Sequence, residues 1–189
     1  WLTDRHNLLY LDGLFHKARI ENLYLSIKDG VYFPKINYEL VNDFGYASSI
    51  FYNDFFLYIP AILRLTGMSL SNVYTFLFVL INISTFSIAY EFGKKMFNKV
   101  NSAYLFSLLY TLSTYRIHIL FKRAAVGEVI ALAFLPIVLY GIYQVLYKNS
   151  KNWKYLTLGM SGVVLSHLLT TLMASTFIVI LVLLNIKQL

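Results

Sequence analysis

The sequence predicts an all-α protein: a polytopic membrane helical bundle in which outer juxtamembrane helices precede four to five spans. Three observations lead there. First, 58% of the 189 residues are apolar and 13% are charged, with a mean hydropathy of +0.61. Soluble domains are roughly 45–50% apolar and about 25% charged, so this chain carries too little charge to solvate a closed surface. Second, the apolar residues fall in long runs without charge. Third, the net charge of +7 is unevenly placed, being −1 over residues 1–69 and +8 over residues 70–189, among those runs. The excess therefore follows membrane segments and does not form a basic patch for nucleic acid. Two Trp, 16 Tyr and 15 Phe exclude a disordered chain, and the lack of cysteine excludes a disulfide or cysteine–metal scaffold.

The uncharged runs are Leu65–Tyr90 (26 residues), Val100–Tyr115 (16), Val129–Tyr147 (19) and Tyr155–Ile186 (32). A spanning helix needs about 20 apolar residues. The first and third runs qualify as they stand. The second qualifies if it extends through Arg116 to Phe121, with the guanidinium snorkelling at the interface. The fourth is too long for one ordinary span. It reads either as one tilted helix or as two short spans turning near Ser166-His167, and the polar cluster Ser166, His167, Thr170 and Thr171 favours the turn. Lys94, Lys95 and Lys99 follow the first run, and Lys148, Lys151 and Lys154 follow the third. The positive-inside rule puts both groups on the cytoplasmic side. Residues 1–69 and the basic segment Arg116–Glu128 are then expected outside a bacterial cytoplasmic membrane. Export of residues 1–69 calls for a further span upstream of Trp1, so the sequence reads as an internal piece of a longer protein.

Two regions follow: an extracytoplasmic segment, 1–69, and a membrane bundle, 70–189. Within the first, Leu8, Leu11, Phe15, Ala18 and Leu25 form a helical stripe, widened by Ile20, Leu23 and Ile27. Lys28-Asp29-Gly30 ends that helix with Gly30 in the position after its cap, and Phe33-Pro34 prevents its continuation. Seven aromatics crowd Phe44–Tyr58, as expected for a turn at headgroup level between two interfacial helices.

Asp12, His16 and Arg19 recur at i, i+4 and i+7 and share one helix face. A carboxylate beside an imidazole suits a general base or a divalent cation, although spacing alone favours an ordinary solvated face. Asp54, inside Phe51-Tyr52-Asn53-Asp54-Phe55-Phe56, is expensive unless paired, used, or capping a helix over Phe55–Leu65. In the outer basic segment, Arg116 and Arg123 stand two helical turns apart, Lys122 adds a third cation, and Glu128 is within reach. Such a cluster suits a lipid phosphate; headgroup anchoring is the plainer alternative. His167 ranks as a cavity-lining donor. No phosphate loop, serine-nucleophile motif or histidine pair for a metal is present.

Asp12-Gly-Leu-Phe-His16-Lys-Ala-Arg19-Ile20, Gly30-Val-Tyr-Phe-Pro34, Gly45-Tyr46 and Phe51-Tyr52-Asn53-Asp54-Phe55-Phe56-Leu57-Tyr58-Ile59-Pro60 resemble bacterial YfhO-like membrane proteins. Together with Tyr115-Arg116, Lys122-Arg123-Ala-Ala-Val-Gly127-Glu128, Leu135-Pro136 and Ser166-His167, they resemble more closely the 6-pyruvoyl-tetrahydropterin synthase-related membrane domain of Firmicutes. The family's name does not describe chemistry available here, since nothing in the sequence forms a three-histidine zinc site. The resemblance implies a GT-C glycosyltransferase-like architecture, in which a first outer loop carries an acid and a polyprenyl-phosphate lipid donates the sugar. Asp12 matches the first-loop acid by position.

The leading expectation is a GT-C-like transferase that moves a sugar from a polyprenyl-phosphate donor to an envelope glycan acceptor on the outer face. Asp12 would act as base with His16 orienting it, Asp54 assisting or holding a divalent cation, and Arg116, Lys122 and Arg123 binding the lipid phosphate. Arg19, Glu128 and His167 would support them. The alternative expectation is a non-catalytic membrane protein, a carrier of lipid-linked intermediates or an assembly partner.

Overall fold

A computed structural model describes residues 11–38, 44–148 and 150–185. It is helical throughout; among the described residues extended pairing amounts to an isolated antiparallel bridge between Asn37 and Tyr46. The elements are α1 (Leu11–Lys28), α2 (Ser48–Phe51), a 3-10 turn (Phe55–Leu57), α3 (Tyr58–Arg64), α4 (Leu70–Phe97), α5 (Val100–Thr111), α6 (Thr114–His118), a π-helical turn (Ile119–Arg123), α7 (Val126–Tyr147), a 3-10 turn (Ser150–Asn152), α8 (Lys154–Val164) and α9 (Leu168–Leu184). They form two compact units: unit one holds residues 1–81 and 114–126, unit two residues 82–113 and 127–189.

In unit one, α1 stops where the sequence predicts. The Gly30 N–H donates to Ile27 O (3.1 Å), the Val31 N–H donates to Ser26 O (2.7 Å), and Gly30 takes φ +83°. This 6→1 and 5→2 pair is a Schellman stop, and the left-handed φ is why glycine stands there. The buried face of α1 departs from the predicted stripe. Ile20 and Leu23, which widen that stripe, are buried as expected, but they share the buried face with His16 and Arg19, whereas Phe15, Ala18 and Leu25 are only half-buried. Leu8 lies outside the described residues. α1 packs against α3, and Arg64 at the end of α3 forks onto Glu21 of α1 through Nη2–Oε1 (2.6 Å) and Nε–Oε2 (2.9 Å). That hydrogen-bonded carboxylate raises the Arg64 pKa above its usual value.

α4 and α7, with 28 and 22 residues, are long and apolar enough to cross a membrane. Among the described residues they are the two that meet that test, where the sequence led to an expectation of four to five spans. α5 has 12 residues and does not extend to Phe121, because Leu112 leaves helical geometry and Ser113-Thr114 follow, residue types that favour caps over helix interiors. The run from Tyr155 breaks in two, as favoured, but gives helices of 11 and 17 residues. His167 marks the break. It adopts φ −152°, and its Nδ1 accepts the Thr170 N–H (3.4 Å) and shares a hydrogen bond with the Thr170 hydroxyl (2.8 Å). The Ser166 hydroxyl donates back to Gly162 O. His167 thus serves as a helix cap, which no glycine or proline announced.

Unit two is held by close backbone approach. A Cβ on Gly141 of α7 would lie 2.4 Å from Leu156 N of α8, one on Gly159 would lie 2.7 Å from Val138 N, and one on Gly162 would lie 2.3 Å from the Phe134 ring. Small residues of this kind let helix backbones approach closely. Around this seam lie buried Ala131, Val138, Ile142 and Val163. Tyr140 and Tyr155 meet edge to face (5.1 Å), with Phe92 5.5 Å from the first.

Pro136 sits inside α7 and has no N–H to give the carbonyl of Leu132, four residues back. The Tyr110 hydroxyl donates to that carbonyl instead (2.5 Å). Tyr110→Phe is therefore expected to leave a carbonyl short of a donor, costing about 1–3 kcal/mol. Unfolding of the purified protein in detergent measures it, and an unchanged midpoint would mean that the Leu132 carbonyl is satisfied otherwise.

Candidate functional site

The sequence-predicted residues of unit one separate into a buried group and an open group. The buried group is built on Arg19, which is 4% exposed. Its Nη2 donates to Asp54 Oδ1 (2.5 Å), to Asn53 O (2.9 Å) and to Tyr52 O (3.2 Å); its Nε donates to Asp54 Oδ1 (3.0 Å). Nη1 lies 3.2 Å from His16 Nδ1. Arginine has only donors, so His16 meets it as an acceptor. Burial lowers the Arg19 pKa from its usual value, and the Asp54 carboxylate works against that shift.

Two expectations change here. His16 and Arg19 do not lie on a solvated face; that part of the polar face of α1 is turned inward, while Asp12 stays half-exposed. Asp54 does not cap the following helix through its side chain. Asn53 takes that role, its Oδ1 accepting the Phe55 N–H at 2.8 Å, because the Asp54 carboxylate is engaged by Arg19.

The open group joins the two ends of unit one's sequence. Asp12, in the first turn of α1, stands 3.6 Å from Arg123 Nη2 at the end of the π-helical turn, with side chains 44% and 51% exposed. The π turn closes on Ala124, a non-glycine residue at φ +53°, and the Ala125 N–H donates to Ile119 O (3.1 Å). π-helical turns are rare and often mark functional positions. Here the turn breaks the helix on which Arg116 and Arg123 were expected to share one face. Arg116 is 2% exposed in α6, whereas Lys122 and Arg123 face solvent.

A half-exposed pair at 3.6 Å is worth about 0–1 kcal/mol. The Arg19–Asp54 pair is the opposite, buried and committed. Beside the open pair, Lys17 Nζ lies 5.2 Å from the centre of the Tyr74 ring, and the buried Tyr74 hydroxyl has no hydrogen-bond partner among the described residues. Sequence reasoning missed Tyr74, which stands in an uncharged run among other aromatics and gives no local signal.

The remaining predicted residues belong to unit two. Glu128 is 9% exposed in the first turn of α7, and His167 caps α9. Among the described residues no three His, Cys, Asp or Glu side chains are grouped to hold a metal ion.

No family model matches the chain, and no solved structure matches it. It is similar to an uncharacterized protein of Lactococcus lactis subsp. cremoris, at 24% identity over 174 residues that cover 89% of this chain and 28% of the relative. The chain therefore spans less than a third of the length of the relative it matches.

Proposed function

We propose that this chain belongs to a GT-C-like membrane glycosyltransferase that moves a sugar from a polyprenyl-phosphate donor to an envelope glycan acceptor. The reading is carried by the Asp12–Arg123 pair: a carboxylate and a guanidinium from distant parts of the sequence, half-exposed and weakly committed to each other. Two long apolar helices support a place in the membrane, and the two three-lysine loops support a cytoplasmic side opposite to residues 1–69. Asp12 accepts the proton of the acceptor hydroxyl as its oxygen bonds to the sugar C1. The C1–O bond to phosphate breaks, its electron pair leaving on the phosphate, where Arg123 and Lys122 stabilise the growing charge. The His16–Arg19–Asp54 group fixes α1 and so presents Asp12; Asp54 and His16 act through position.

Asp12→Asn and Arg123→Ala in the full-length protein are each expected to lower acceptor-dependent release of polyprenyl phosphate by about 10²–10⁴-fold. Unchanged release and unchanged envelope glycan composition in both would refute the assignment. One observation favours the non-catalytic alternative, a carrier or assembly partner: engagement by Arg19 takes Asp54, one of the two candidate acids, out of the chemistry. Saturable lipid-phosphate binding without turnover would decide for it.

A further inference from the structure

We infer that the Tyr74 hydroxyl is a hydrogen-bond donor to a lipid-borne phosphate held beside the Asp12–Arg123 pair. This role deepens the proposed function and rests on its reading of that pair as a lipid-phosphate site. Asp12, Lys17, Tyr74 and Arg123 all belong to unit one. The Tyr74 hydroxyl is buried and has no hydrogen-bond partner among the described residues. Taking a hydroxyl out of water without a replacement bond costs stability, and phenylalanine would fill the same space without that cost. A group of this kind points to a partner that the protein does not itself supply. The rest of the side chain is engaged: the ring centre lies 4.9 Å from that of Phe78 and 5.2 Å from Lys17 Nζ. What Tyr74 has to offer is therefore its hydroxyl.

The depth of Tyr74 suits a lipid phosphate. It is the fifth residue of α4, about 6 Å along the axis from the start at Leu70. Side chains on a helix lean towards its N-terminus, so the phenol leans back towards Leu70, the end of α4 that follows the outer segment. Tyrosines at this level of a spanning helix keep the ring in apolar surroundings and the hydroxyl among headgroups. A phosphate on an apolar tail reaches that level from within the leaflet. An inorganic phosphate would have to shed its hydration to meet a buried hydroxyl.

Charge points the same way. Arg123 stands 3.6 Å from Asp12, and Asp12 is near enough for its charge to act on the Tyr74 hydroxyl. Those two charges offset each other, which leaves Lys17 to make the surroundings net positive. Its contact with the Tyr74 ring is a cation–π contact, which retains the ammonium charge. A phosphate here gains from Arg123 and Lys17 as charges, and from Tyr74 as a donor not drawn away from another described residue. A neutral hydroxyl would take the bond from Tyr74 and answer none of the charge.

The test compares full-length wild type with Tyr74→Phe in phosphatidylcholine nanodiscs. Each is titrated with polyprenyl phosphate and with polyprenol of the same chain, with bound lipid counted by native mass spectrometry and inorganic phosphate added as a competitor. Tyr74→Phe should bind polyprenyl phosphate about ten- to a hundredfold more weakly, the worth of a hydrogen bond to a charged group. Without lipid it should unfold at the same midpoint as wild type or a higher one, since it loses an unpaired hydroxyl and keeps the ring. A tyrosine of purely structural value would lose stability along with affinity, and that result would overturn the role. So would no saturable binding by the wild type, equal affinity in the two proteins, polyprenol bound as tightly as its phosphate, or displacement by an equal concentration of inorganic phosphate. Acceptor-dependent release of polyprenyl phosphate is followed separately. Turnover with equal affinities would overturn the role of Tyr74 and leave the transferase reading standing, whereas Tyr74-dependent binding without turnover would keep the donor and overturn the transferase.

Discussion

Arg19→Met is expected to destabilise the protein by about 3–5 kcal/mol, the usual cost of leaving one member of a buried ion pair without its partner. The loss is local in origin. Arg19 ties α1 to three consecutive residues through the Tyr52 and Asn53 carbonyls and the Asp54 carboxylate. Without it, Asp54 stays buried with its charge uncompensated and two carbonyls lose a donor. The double variant Arg19→Met/Asp54→Leu should regain a large part of the loss, because replacing a whole buried pair by apolar groups is often neutral or stabilising. Unfolding of the four members of this cycle in detergent, with proteolysis of the 52–54 segment as a local reporter, measures both effects. A single-variant cost below about 1 kcal/mol, the range of exposed pairs, would mean that Arg19 is wetter than its 4% exposure implies.

The second large effect is expected at the seam between α7 and α8. Gly141→Ala introduces a methyl group 2.4 Å from the backbone nitrogen of Leu156 and 2.5 Å from its Cα. A backbone cannot rotate away as a side chain can, so the helices must separate along their length. Overpacking costs about 1–3 kcal/mol where neighbours shift, and the upper end applies here. Gly162→Ala meets the Phe134 ring, which has rotamer freedom, and should cost less than Gly141→Ala despite the closer contact. The order of the two unfolding midpoints checks this. If Gly162→Ala proved the more damaging, the seam would depend on the Phe134 ring rather than on backbone approach.

The seam shows why part of the fold was hidden in the sequence. Gly141, Gly159 and Gly162 are ordinary residues in a greasy run until two helices are placed side by side. Likewise Pro136 announces a missing hydrogen bond, but only the fold reveals that Tyr110 answers it. Legible features were those encoded within a few residues: the stop at Gly30, the long apolar α4 and α7, and the polar interruption around His167. Helix length was overestimated at α5 because hydropathy measures where a chain tolerates lipid, not where its backbone leaves helical geometry.

The candidate site divides along the same line. By itself the sequence determined the inventory: an all-helical chain with long apolar segments, and Asp12, His16, Arg19, Asp54 and the basic cluster as the polar residues at issue. Which face of α1 turns inward was decided by tertiary structure, since a helix period specifies that residues share a face but not what that face meets. Arg19 reaches a carboxylate 35 positions away, and that pairing makes burial of the polar stripe affordable. The π-helical turn then separates Arg116 from Arg123, burying one guanidinium and placing the other against Asp12. Charge and spacing are local properties, whereas desolvation depends on everything packed around a group, and only the folded chain supplies it.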